Sequence, residues 1–346
     1  MIKLLSWSSK INIHRYIKLK HLLLLCLGLF FAVVCYLMVN INISEKMTIK
    51  KINYKGWKDS YSLSNSEVEA VIVPAIGRIM QFRFLGEENI FWEDSQIYGK
   101  IPNPNPKSEE WDNFGGDKTW PAPQSKWESI TNISWPPPVT FDSVPVQIKA
   151  EKNELMLISE VDPFYGIRFE RKITLEPNLP IMNITTTFEK VKGDSQQVSV
   201  WTITQFNEPV SVFAKIPENS IFPQGYNKQS DELPANLKIE DGILSLTRDE
   251  NKAHKIGSDA STLLWMGKNV AVRMDSTRID NAIYPDNNSN SEIYTNYNPK
   301  AYVELEFLSP LKTLEVGEKM DLTVKYTLTK TTSENIEEQV RGILGR

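Results

Sequence analysis

The sequence predicts an all-β body, a large sandwich of antiparallel strands, preceded by one membrane-spanning helix. Three observations carry this reading. Short segments of the body alternate apolar and polar residues with a period of two, Gly, Pro, Asn and Asp punctuate them, and one unbroken apolar run lies ahead of them all. With 346 residues, 41% hydrophobic and 24% charged, the chain is composed like a globular protein, which excludes wholesale disorder and a multispanning membrane protein.

The N-terminal elements set the expected compartment. Residues 1–21 hold five basic side chains, Lys3, Lys10, Arg15, Lys18 and Lys20, and no acid. Residues 22–39 (LLLLCLGLFFAVVCYLMV) form an apolar run of 18, long enough as a helix to cross a bilayer core. Positive charge stays on the cytoplasmic side, so the body should lie outside the cytoplasm, in the periplasm or at the cell exterior. A secretory signal has the same layout, but this run exceeds the usual apolar region and no Ala-x-Ala-like site follows it in residues 40–44. An uncleaved single-pass signal-anchor is the favoured reading, with 40–49 as linker. Both cysteines, Cys26 and Cys35, fall inside the run, so the body has neither disulfides nor thiolate metal ligands. Beyond residue 44, 34 basic residues face 43 acidic ones, a balance that argues against nucleic acid as a partner.

The body, 50–332, reads as one domain, with 333–346 as a short C-terminal tail. In 321–329 (DLTVKYTLT), Leu322, Val324, Tyr326 and Leu328 point one way and the polar residues the other. The same alternation places Ile167, Phe169, Ile173 and Leu175 on one face of 165–175, and Met182, Ile184 and Phe188 on one face of 181–189. Further strands are expected over 67–73, 78–84, 89–92, 154–159, 197–204, 261–266, 269–274 and 302–308. In the tail, Ile336, Val340 and Ile343 have the spacing of a short amphipathic helix. Two regions read as irregular. Residues 100–138 hold eight prolines and four tryptophans, and little of this is expected in a central strand, because proline lacks the donor that a ladder needs. Residues 276–300, rich in Asn, Ser and Asp, read as a surface loop.

Several chemistries are excluded. His254 is the only histidine of the body, so a histidine metal cluster is out, and no cofactor is implied. A Ser/His/Asp triad would have to use it, and there is no Gly-x-Ser-x-Gly elbow to serve it. The Lys-Thr of 113–119 (NFGGDKT) lacks the spacing of a phosphate loop. What remains is 115–123 (GGDKTWPAP), where two glycines permit a tight turn or close backbone approach, Asp117 and Lys118 supply opposite charges, and Trp120 offers an apolar face. Such a lining suits polyols, whose hydroxyls bond charged groups while ring C–H faces pack on aromatics. A core Trp120 beside a surface ion pair would give the same composition.

The segments 71–80 (VIVPAIGRIM), 89–92 (NIFW) and 113–123 (NFGGDKTWPAP) resemble the opening motifs of the bacterial domain of unknown function family 4380, itself related to the galactose mutarotase-like (aldose 1-epimerase-like) superfamily. Segments 200–205 (VWTITQ), 255–259 (KIGSD) and 301–310 (AYVELEFLSP) follow in the expected order, so that the resemblance covers about 60–330. It implies a galactose mutarotase-like β-supersandwich and a carbohydrate ligand. By the same resemblance, Arg78, Asn113, Asp117, Lys118, Trp120, Trp201, Gln205, Lys255 and Glu304 are the candidates for lining a sugar cleft, and Glu306 is the candidate base. Aldose mutarotases pair such a base with a histidine acid, and the matching segment here, 201–205 (WTITQ), has no histidine. Lys118, Tyr226 or His254 would have to replace it. Three readings therefore stand: a membrane-anchored carbohydrate-binding protein, which is favoured, an epimerase-like sugar-modifying enzyme, and a structural envelope protein without a sugar site.

The topology is testable directly. Protease added to intact spheroplasts is expected to digest the body, and a mature N-terminus mapping near residue 45 would remove the anchor.

Overall fold

The alternating segments pair into two antiparallel sheets in the computed structural model, which describes Lys20 and residues 26–31, 47–332 and 334–345. Residues 26–31 of the apolar run are helical, while the rest of 22–39 lies outside the described residues. Among the described residues no helix is long and apolar enough to cross a membrane. Residues 47–346 form one compact unit.

The first sheet has eleven strands. It runs from Thr48–Tyr54 through Trp57–Ser64, Val68–Val73, Arg78–Phe84, Asp117–Ala122, Gln196–Asn207, Tyr302–Leu308, Ser291–Thr295 and His254–Ser258 to Asn227–Lys228, with Lys312–Leu314 also pairing on Gln196–Asn207. The second has ten, in the order Lys238–Glu240, Ile243–Leu246, Ser211–Lys215, Thr262–Met266, Val270–Asp275, Lys319–Lys330, Ile181–Lys190, Ile167–Leu175, Glu154–Ile158 and Gln147–Glu151. Residues of one parity from both sheets meet in a shared apolar core. Leu322, Val324, Tyr326 and Leu328 are all buried there, as the alternation predicts.

Three expectations need correction. Residues 89–92 are not a strand: the Asn89 side chain holds a turn, its Oδ1 accepting from the amides of Phe82 and Phe91 and its Nδ2 donating to the Met80 carbonyl, so that only Phe91 bridges, to Phe206. Asp117–Ala122 is a central strand despite Pro121. Pro121 sits opposite Val200, whose amide and carbonyl both turn away to Ser309. The missing donor therefore faces the side where pairing with Arg78–Phe84 has already ended, at Ile79 opposite Asp117. The 276–300 region contains the strand Ser291–Thr295, whose polar face is covered rather than solvated. The first strand of the body starts at Thr48, and the amphipathic tail helix expected from the sequence, Ile336–Leu344, lays Val340 and Leu344 on Phe213, Ile243, Leu264 and Met266 of the second sheet.

One charge pair crosses the core. Arg171 occupies an inward position of its strand, and its guanidinium meets the Asp117 carboxylate, with both side chains fully buried. Asp117 Oδ2 also accepts from Thr204 Oγ1 at 2.7 Å and from the Tyr326 hydroxyl at 2.8 Å. Removing one partner strands a buried charge. Arg171→Met is therefore expected to destabilise the domain by ~3–5 kcal/mol, and the double variant Arg171→Met/Asp117→Asn to recover most of that, as read by chemical denaturation.

Candidate functional site

The outward face of the first sheet is organised by Gly115 and Gly116. Both have positive φ, +89° and +69°, and an added Cβ would lie 2.1 Å from the Trp92 carbonyl oxygen or 2.4 Å from that of Ile79. The glycines thus serve backbone approach within the sheet. The strand that follows alternates strictly, with Asp117 turned into the core and Lys118 and Trp120 turned out. Asp117 is therefore no part of the cleft, contrary to the expectation from sequence, because its carboxylate is consumed by Arg171, Thr204 and Tyr326.

Register brings the outward residues together. Trp201 pairs with Trp120, Ile203 lies between Lys118 and Glu306, and Gln205 is opposite Glu304. Lys118 Nζ lies 3.3 Å from Glu304 Oε1 and 4.8 Å from the centre of the Trp120 ring. Trp201 Nε1 donates to Glu306 Oε2 at 2.7 Å. Lys255 stands 4.5 Å above the Trp201 ring and bridges two carboxylates, Glu306 Oε2 at 3.0 Å and Glu292 Oε2 at 2.7 Å. Glu292 and Glu306 face each other directly across neighbouring strands, and Gln229 Nε2 donates to Glu292 Oε1 at 2.7 Å. The Glu306 and Glu292 carboxyls lie within hydrogen-bonding contact of each other, and the Gln205 and Asn113 amides hydrogen-bond with the Tyr302 hydroxyl.

Two further candidates have structural partners. Arg78 is fully buried and all three of its guanidinium nitrogens are engaged: Nη2 on Asp142 Oδ1 at 2.7 Å, Nε on the Asp142 carbonyl and Nη1 on the Gly115 carbonyl. It does not reach the open face. Trp120 is 5% exposed, donates to Asp142 Oδ1 at 2.9 Å and packs edge to face with Trp127 and Trp201. It supports the face from beneath and offers no stacking surface. That surface is supplied by residues the sequence reading missed: Tyr294 and Trp92, both half-buried, flank Tyr302 with ring centres 6.2 and 4.8 Å from its own, beside Glu304 and Lys255. Asp142, Glu292, Gln229 and Asp286 were missed as well. The one legible signal was the Ser-Glu-Ile-Tyr-Thr alternation of 291–295, which puts Glu292 and Tyr294 on one face.

Burial governs the electrostatics. It pushes Glu306 up to about 7, with Lys255 opposing and Glu292 adding to the rise. Burial likewise raises Glu304 against the pull of Lys118, and lowers Lys118 against the pull of Glu304. For Lys255 burial is outweighed by Glu292 and Glu306, which together hold its ammonium charged. Asp286 is raised by burial and by Glu306, with Lys255 opposing. Of the proposed substitutes for a histidine acid, only Lys118 is on this face. His254 is held by the Glu232 carbonyl and Asp249, and Tyr226 packs against the main core.

The two packed antiparallel sheets have the galactose mutarotase-like fold. A galactose mutarotase-like protein from Lactobacillus casei ATCC 334 matches with a TM-score of 0.50 and 11% identity, over 78% of this chain and 99% of its own. A galactose mutarotase related enzyme from Lactobacillus acidophilus gives 0.50 and 12%, over 80% and 99%, and the Slr1438 protein of Synechocystis sp. PCC 6803 gives 0.53 and 12%, over 82% and 100%. At these identities the likeness is one of fold. Residues 59–329 match the domain of unknown function DUF4380, and the chain belongs to that family. Comparison with curated proteins finds no match.

A carboxyl raised from 4.5 to about 7 binds its proton more tightly in the folded chain than in the unfolded one. Its contribution to stability is complete below the unfolded value and is lost as pH rises through 7. Between pH 4.5 and 8 the wild type is expected to lose ~3 kcal/mol more than Glu306→Gln, measured from denaturation midpoints at each pH.

Proposed function

We propose that this protein binds carbohydrate on the outward face of its first sheet, and that residues 22–39 hold it at the membrane with the body outside the cytoplasm. The anchor rests on the apolar run and on the five basic residues ahead of it. The binding reading rests on one juxtaposition: an aromatic row, with Trp92 and Tyr294 half-buried on either side of a buried Tyr302, runs beside Glu304, Lys255 and Lys118. An aromatic row packs the C–H face of a sugar ring, while carboxylates and ammonium groups at its border bond the hydroxyls. Relatives of this fold carry names that refer to galactose mutarotase, which agrees in ligand class.

A second reading is favoured by Glu306 alone. A buried carboxyl poised at about 7 suits proton transfer at neutral pH, and Lys118, its charge weakened by burial, is the acid available on the same face. In that reading Glu306 takes the anomeric hydroxyl proton as the ring opens, and Lys118 returns one to the ring oxygen.

Tyr294→Ala is expected to weaken sugar binding by ~1–3 kcal/mol through lost stacking area, measured by calorimetry against a glycan identified on an array. Unchanged affinity would remove the aromatic row from the site. Glu306→Gln separates the readings. An epimerase loses anomer exchange, followed by NMR, and still holds the sugar, whereas a binding protein shows no exchange in either form.

A further inference from the structure

Five lysine or arginine side chains are buried among the described residues, and four of them face a carboxylate: Arg78 on Asp142, Lys118 on Glu304, Arg171 on Asp117 and Arg248 on Glu208. Lys190 is the fifth, and it has none. It ends the strand Ile181–Lys190 in phase with Met182, Ile184 and Phe188, so that its stem runs with the core and the residue is only 2% exposed. Its ammonium donates to the Tyr165 carbonyl at 2.6 Å and forms no ion pair among the described residues. A buried cation without a counterion is costly. Burial lowers the Lys190 pKa, with Asp194 and Glu315 opposing from beyond ion-pair distance. The ammonium borders a cleft of 460 Å³ at the edge where the two sheets join. An added Cβ on Gly166 would stand 3.1 Å from Nζ and one on Gly193 3.8 Å, which sets the nitrogen between the turn ahead of Ile167–Leu175 and the turn 191–195, and both glycines line the cleft. Other donors border it too. Lys192, exposed, adds a second positive charge, Ser129 a hydroxyl from the helix Trp127–Thr131, and Gln196 an amide. The backbone amides of Gly193 and Asp194 donate to no group among the described residues. Asp194, exposed, is the one acid of the lining.

We propose that this cleft binds a phosphate group, with one anionic oxygen on Lys190 and the others on Lys192 and the amides of residues 193 and 194. The site is separate from the outward face of the first sheet and does not depend on the carbohydrate-binding reading. A phosphate supplies the counterion that every other buried lysine or arginine already has, and successive free amides beside it suit an anion. The donors come from three chain segments and so surround the ligand, which matches a tetrahedral oxyanion better than the two coplanar oxygens of a carboxylate. The cleft is larger than a bare phosphate requires. Phe164, 54% exposed, and Ile130 give it an apolar wall for the rest of a phosphate ester.

The test titrates the full chain, in nonionic detergent, with inorganic phosphate and with acetate at matched ionic strength, read by calorimetry. Phosphate is expected to bind saturably and about tenfold more tightly than acetate, and Lys190→Met to weaken it about tenfold, the discrimination that one charge-assisted contact supplies. Lys192→Ala should weaken it about threefold, as befits a contact shared with water. Because Lys192 is exposed, that variant decides the matter if Lys190→Met does not fold. Absence of saturable phosphate binding by the folded wild type, equal binding of acetate, or an unchanged affinity in either folded variant overturns the inference. The source of the group is read by competition against phosphate. Displacement by glycerol 3-phosphate alone supports a soluble ester, and displacement also by detergent micelles doped with phosphatidic acid supports a lipid headgroup. Displacement by neither supports inorganic phosphate itself.

Discussion

The pairing of Arg171 with Asp117 between the two sheets is the constraint on which the outward face depends. A charge pair in an apolar core brings little net stability, because desolvation offsets most of its Coulombic attraction. What it brings is orientation. With Asp117 committed inward to Arg171, Thr204 and Tyr326, the strict alternation of a strand leaves Lys118 and Trp120 no choice but to face outward. A one-residue slip would drive Lys118 into the core and expose the carboxylate, so this register excludes its alternatives. Gly115 and Gly116 act just upstream, since only residues without a Cβ let the chain pass so close to Trp92 and Ile79 before the strand begins.

On the far side of the same sheet the logic reverses. Acids that would repel across neighbouring strands, Glu292 and Glu306, are held together by one lysine and the indole of Trp201. A structure selected only for stability has little reason to place them there. The tryptophans of 100–138 explain how the arrangement is tolerated. Trp111 and Trp120 both donate to Asp142, which also binds Arg78, and their rings pack against Trp135 and Trp127. That cluster packs beneath Lys118 and Trp201.

Much of the strand pattern was legible because a half-buried strand writes its two faces into alternate residues. The strand Lys319–Lys330 is the plainest case. The failures have physical causes. Asp117–Ala122 was hidden by Pro121, whose missing donor is harmless only because the neighbouring strand stops short of it, a fact of pairing rather than of local composition. Ser291–Thr295 was hidden because its polar residues face a covered site instead of water. Arg171 could have been suspected, as a charge standing in phase with Ile167, Phe169, Ile173 and Leu175.

The sequence by itself determined the β class, the position of the apolar run, the family and most of the residues that share the outward face, since all of these follow from local periodicity, composition or motif. Tertiary structure alone decided which of those residues are free to meet a ligand. Arg78, Asp117 and Trp120 carry the right chemistry in the right motif, but Asp142 and Arg171 consume it. Tyr294 and Glu292 belong to no motif, yet sheet order brings them beside Lys255 and Glu306. Side-chain identity is written locally, whereas the partner that satisfies or leaves open each polar group is chosen by strands far apart in the chain.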